Sequence, residues 1–124
     1  MEKNISVDKM LSLSKELYEK NKDKWPAMDP ETGLAWVAYL VAEVGEVIDI
    51  IKKKKTEQIV SNPEVRLEML EEIADCYMYL ADILNSFHFT SEEFSLVYQE
   101  KMEKNMQRSY VSHPTKKDKE SNKS

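Results

Sequence analysis

Two pairs of acidic side chains, Glu43-x-x-Glu46 and Glu72-x-x-Asp75, are the residues whose type and spacing point to chemistry in this chain. On a helix, residues three apart project from neighbouring positions on one side. Left alone, each pair is a weak repulsion, and a cation between the carboxylates reverses the sign of that interaction. Hard oxygen ligands that leave room for water are what Mg²⁺ selects, with further positions open to phosphate oxygens. Either pair by itself is a loose pattern, because charged residues make up 33% of the chain.

Both pairs lie in runs of helical periodicity. From about Leu34 to Ile51, apolar residues such as Val37, Leu40, Val44, Val47 and Ile51 recur at steps of three and four, and Leu70, Ile73, Tyr77, Leu80 and Leu84 do the same around the second pair. Antiparallel packing of these helices brings the four carboxylates into one small volume. Gly45, between Glu43 and Glu46, costs a helix interior about 1 kcal/mol relative to alanine. It therefore predicts close approach by another backbone or a ligand.

Glu72, Asp75, Tyr79 and Asp82 form one helical stripe, and Lys101, Asn105 and Arg108 form another on a later segment. Acids that hold a metal, with lysine and arginine to hold phosphate, make a coherent set. Asn105 carries both donor and acceptor groups, suited to a base or sugar. The competing reading makes these charges interhelical salt bridges on a solvated surface. Asp49 and Asp82 are expected to be solvated or ion-paired, and Cys76 and Tyr77 to face the core.

The frame that positions these residues is all-α. A first helix is predicted from an N-cap at Ser6 to about Asp23, followed by a loop over Trp25–Gly33 with two prolines and a glycine. The second helix ends near the Lys52–Lys55 run, which complements the negative end of the helix dipole. Residues Thr56–Ser61 read as a connection. A third helix runs from the Asn62-Pro63 start to about Ser86, and His88-Phe89 is a turn. Thr90-Ser91-Glu92-Glu93 is a capping box opening a fourth helix to about Arg108. A four-helix bundle over residues 1–110, followed by a disordered polar tail over 111–124, is the expected organisation. Four short helices with this much apolar face, plus Trp25, Met28, Trp36 and Tyr39 as exposed candidates, predict that a homodimer or homotetramer completes the core.

A net charge of −5 argues against binding a nucleic acid polymer. The single cysteine, Cys76, excludes an internal disulfide and fits a reducing cytosol. No apolar run approaches membrane-spanning length, and the first residues lack a signal peptide's apolar stretch. A cytoplasmic protein without membrane partners is the expectation.

Glu43-x-x-Glu46, then 25 residues, then Glu72-x-x-Asp75 resembles the metal-binding signature of the MazG-like all-α nucleoside triphosphate pyrophosphohydrolases. Val44-Gly45-Glu46-Val47, Ala74-Asp75-Cys76-Tyr77-Met78-Tyr79-Leu80 and Lys101-x-x-x-Asn105-x-x-Arg108 carry the resemblance further, over roughly residues 7 to 110. It implies Mg²⁺, or Mn²⁺ in its place, held by Glu43, Glu46, Glu72 and Asp75. It also implies a nucleoside triphosphate substrate faced by Tyr79, Lys101, Asn105 and Arg108, as in the dCTP-pyrophosphatase branch, with Trp25 packing on the base. Cleavage between the α- and β-phosphates, with Glu43 or Glu46 orienting the water, and a house-cleaning role in the nucleotide pool follow from the same resemblance. Many members carry Glu-Glu-x-x-Glu; Ala42 stands at the first of those positions here, as small residues do in the dCTP-pyrophosphatase branch. A non-catalytic helical oligomer acting as an interaction or regulatory module is the alternative. A di-iron bundle needs Glu-x-x-His pairs, and neither His88 nor His113 has a glutamate three residues before it.

Overall fold

The computed structural model describes residues 1–108. The 3₁₀ turn and three of the five described helices begin where the sequence supplies a side chain that accepts from free backbone N–H groups. Ser6 accepts from the Lys9 N–H at 3.0 Å and opens α1, Val7–Asn21. Asp29 accepts from Glu31 and Thr32 at 3.1 and 3.3 Å, setting a short 3₁₀ turn, Pro30–Thr32, inside the predicted loop. α2, Gly33–Lys53, follows directly and carries Lys52 and Lys53 in its last turn. Asn62 accepts from Glu64 at 3.0 Å, with Pro63 leading α4, Pro63–Ser86.

The capping box forms as predicted. The Glu93 N–H donates to Thr90 Oγ1 at 3.1 Å, and the Thr90 N–H donates to Glu93 Oε1 at 3.3 Å, so α5 spans Ser91–Gln107. One segment differs from expectation: Thr56–Ser61 is a short helix, α3, rather than a plain connection. Its residues lack proline and glycine, and the N–H groups of Gln58 and Ile59 both return to the Lys55 carbonyl. The all-α architecture stands, with no strand among the described residues. The expected tail over 111–124 lies outside them. No described helix is long and apolar enough to cross a membrane.

The chain divides into two compact units, the first covering residues 1–93 and the second starting at Phe94. Within the first, α2 and α4 run antiparallel: Gly33 lies against Phe87, Trp36 against Tyr79, and Glu43 against Glu72 and Asp75. A Cβ on Gly33 would collide with the Phe87 ring, so a larger residue there must displace that ring. α1 joins α4 through polar side chains. Asn85 Nδ2 donates to the Leu11 carbonyl and to Ser14 Oγ, both at 3.0 Å, and the Ser14 hydroxyl donates to Asp82. In the second unit, the described part of α5 places Lys101 and Asn105 on one stripe, with Arg108 just past its end.

Four expectations change on this frame. Trp36 is buried, 2% exposed, because its indole sits under the loop and its Nε1 donates to the Ala27 carbonyl at 2.9 Å. Tyr77 is 57% exposed and lines a groove with α1 instead of facing the core. Asp82 is half-buried and bonded to Ser14 rather than solvated or ion-paired, because α1 packs over that turn of α4. At Gly45 a Cβ would meet nothing within 4 Å, so no other backbone among the described residues approaches it.

Candidate functional site

The α2–α4 crossing assembles the acids. Glu43 from α2 and Glu72 and Asp75 from α4 each offer a carboxylate oxygen, and those atoms all lie within 4.8 Å of one another. All three side chains are half-buried. Glu46, one turn further along α2, is exposed and stands outside that group.

No salt bridge to these carboxylates occurs among the described residues, where the single ion pair is Lys22–Glu19 at 2.8 Å. The surface-ion-pair reading therefore has no geometry behind it at Glu43, Glu72 or Asp75. Among the described residues, Glu72 Oε2 is out of contact with solvent and lacks a hydrogen-bond partner. Two ionised carboxylates are both acceptors and cannot satisfy each other. A proton shared with Glu43 can, and that bond, with burial and the negative charges of Glu43 and Asp75, holds the Glu72 pKa above the ordinary glutamate range. A divalent cation would meet the same need without a proton. The donor set is all oxygen and fits Mg²⁺ or Mn²⁺.

Beside the acids lies a cavity of about 380 Å³. Glu43 and Asp75 border it, together with Trp25, Trp36, Tyr39, Tyr79 and Asp82. Trp36 is the hub of an aromatic cluster, with ring centroids 6.2 Å from Trp25, 5.7 Å from Tyr39, 6.4 Å from Tyr18 and 6.5 Å from Tyr79. Its neighbours at 72–80° are edge-to-face, the arrangement aromatic quadrupoles prefer. Burial, then the charges of Glu43, Asp82 and Asp75, push the Tyr79 phenol up, so it remains a neutral donor. Burial, then the charges of Glu43, Asp75 and Glu72, push the Cys76 thiol up, which disfavours the thiolate a nucleophile needs. A cavity lined by the carboxylates of Glu43, Asp75 and Asp82, by Lys24 and by aromatic rings suits a ligand that carries both a metal-bound anion and a flat ring.

Of the residues singled out in the sequence, Glu43, Glu72 and Asp75 converge, and Trp25 and Tyr79 share the adjoining cavity. Lys101 and Asn105 keep one stripe of α5, the first exposed and the second half-buried, and Arg108 is exposed just past the helix end. Trp36 and Tyr39 were not anticipated in the cavity wall. Their signal was present, since Trp36, Tyr39, Glu43 and Glu46 continue one stripe at steps of three and four.

A family model described as the MazG nucleotide pyrophosphohydrolase domain matches residues 31–111, from the 3₁₀ turn through α5. No curated protein and no solved structure matches the chain. With the model spanning most of the sequence and the acids gathered where α2 crosses α4, the chain belongs to the MazG nucleotide pyrophosphohydrolase family.

Proposed function

We propose that the protein is a Mg²⁺-dependent hydrolase that cleaves a nucleoside triphosphate between the α- and β-phosphates, releasing a monophosphate and pyrophosphate. The observation that carries this reading is the Glu43–Glu72–Asp75 group with its unpartnered inner oxygen, set against an aromatic cavity. Glu43, Glu72 and Asp75 would hold the ion, with Glu46 completing the set from the next turn of α2. The ion supplies charge neutralisation at the phosphates and a more acidic bound water.

The rest of the chemistry belongs to the chain's own side chains. A carboxylate of Glu43 or Glu46 that the ion leaves free orients the water and takes its proton. Lys101 and Arg108 offset the charge that grows on departing pyrophosphate, and Asn105 contacts the sugar or base. Trp25 and Tyr79 flank the base. Removal of unwanted nucleotides from the cytoplasmic pool is the role this activity would serve.

Pyrophosphate release from a panel of ribo- and deoxynucleoside triphosphates, with and without Mg²⁺, tests the reading. Release that requires Mg²⁺ and is lost in Glu72→Gln supports it. A folded protein that releases pyrophosphate from none of them is instead a non-catalytic helical module.

The same reading includes a homo-oligomer. Only Leu11, Trp36, Ile50, Val65 and Ala81 are buried apolar side chains among the described residues, while Val41, Ile48, Leu67 and Leu70 are 50–64% exposed. A groove of about 550 Å³ between α1 and α4, with Leu13, Leu17, Tyr77 and Met78 in its walls, gives a second copy an apolar seat.

A further inference from the structure

The cavity beside the acids has one basic residue in its lining among the described residues, Lys24. It stands in the turn that follows α1, where the N–H groups of Lys24 and Trp25 both donate to the Asn21 carbonyl, at 2.9 and 3.0 Å. Two bonds to one acceptor fix the backbone of both residues, and both line the cavity. Lys22, two positions earlier, is spent on Glu19 at 2.8 Å, while no ion pair engages Lys24 among the described residues. The α2 and α4 walls contribute three carboxylates, Glu43, Asp75 and Asp82. None of them is within ion-pair distance of Lys24, so cation and acids share the space without closing it. A phosphate entering among carboxylates is repelled. With an ion on Glu43, Glu72 and Asp75 part of that repulsion is offset, and Lys24 is the one further positive charge in the described lining.

We infer that Lys24 binds the α-phosphate of the nucleotide, the phosphoryl group that stays on the product. The inference rests on the nucleotide reading above. The choice of phosphate follows from chain order. Trp25 is placed at the base, Lys24 is its neighbour on a fixed stretch of backbone, and the phosphate attached to the sugar is the one nearest the base. A lysine's flexible four-carbon stem carries the charge outward from that anchor, and its ammonium meets phosphate as a point charge without demanding a bidentate angle. The role is separate from that of Lys101 and Arg108, which belong to the second unit and are assigned to departing pyrophosphate.

Calorimetry with Mg²⁺ present, on the four common deoxynucleoside monophosphates, their parent deoxynucleosides and inorganic pyrophosphate, gives the test. In the wild type the best-bound monophosphate should bind more tightly than its nucleoside. K24Q should weaken that monophosphate about five- to tenfold while leaving the nucleoside and pyrophosphate within about twofold, and K24R should recover most of the loss. Lys24 is exposed, and its N–H bond to Asn21 does not depend on the side chain, so the variants read charge rather than folding. An unchanged monophosphate affinity in K24Q, an equal loss for the nucleoside, or an equal loss for pyrophosphate would overturn the assignment. So would a wild type that binds no monophosphate, or binds it no better than the nucleoside. Because binding is read apart from turnover, absent pyrophosphate release counts against the hydrolase reading, whereas turnover with an unchanged affinity in K24Q counts against Lys24 alone.

Discussion

Glu72 carries the sharpest consequence at the residue scale. Its proton is held more tightly in the folded chain than in the unfolded one, because the bond to Glu43 and the crowded negative charge exist only after folding. The folded state therefore binds more protons in that range. The stability from this group is complete below the ordinary glutamate pKa and is lost as pH rises through the elevated one. A divalent ion competes for the same oxygens. Mg²⁺ should thus raise the melting temperature more at about pH 7 than at about pH 5, and Glu72→Gln should flatten that difference. A Mg²⁺ shift identical at both pH values in a melting series would show that the ion does not sit there. Glu46 gives the complementary test. It is exposed and outside the close group, so Glu46→Gln should melt like the wild type yet lose Mg²⁺-dependent turnover. Full activity in that variant would remove Glu46 from the ligand set.

At the scale of elements, the caps and turns make separate and measurable contributions. Replacing Asn62 by alanine removes the acceptor for the Glu64 N–H and should cost about 1 kcal/mol in chemical denaturation. His88 sits in the turn after α4 with φ of 60°, a left-handed conformation that is costly for a residue with a Cβ. His88→Gly should therefore stabilise the protein by up to about 1 kcal/mol. These starts were legible in the chain itself, because Ser6, Asn62 and Thr90 each announce a helix by side-chain chemistry that acts over two or three residues. Helix α3 was not, since nothing local in Thr56–Ser61 distinguishes a single closed turn from a connection. The acid stripe on α4 was equally legible. The fate of Asp82 was not, because it depends on Ser14, 68 positions away in the chain.

For the whole molecule, the shortage of buried apolar side chains is the controlling fact. Periodicity identified the apolar faces, but it does not say which of them the chain itself covers. Trp36 went inside while Tyr77 stayed out. If a second copy covers the α1–α4 groove, charges placed in its walls should separate the copies. A Leu13→Glu, Tyr77→Glu double variant, at two groove residues that do not border the acid-lined cavity, is expected to sediment as a monomer, whereas the wild type sediments as a dimer or larger. A wild type that is monomeric at high concentration would refute the interface. The variant also separates assembly from chemistry, since the Glu43–Glu72–Asp75 group is formed by one chain.

The chain has two tryptophans, and both border the cavity that the acids share. All of its indole emission therefore originates at that one place. Whatever enters the cavity will change the intensity or colour of that light, so occupancy can be followed optically on the unlabelled protein, with nothing elsewhere in the sequence to dilute the signal.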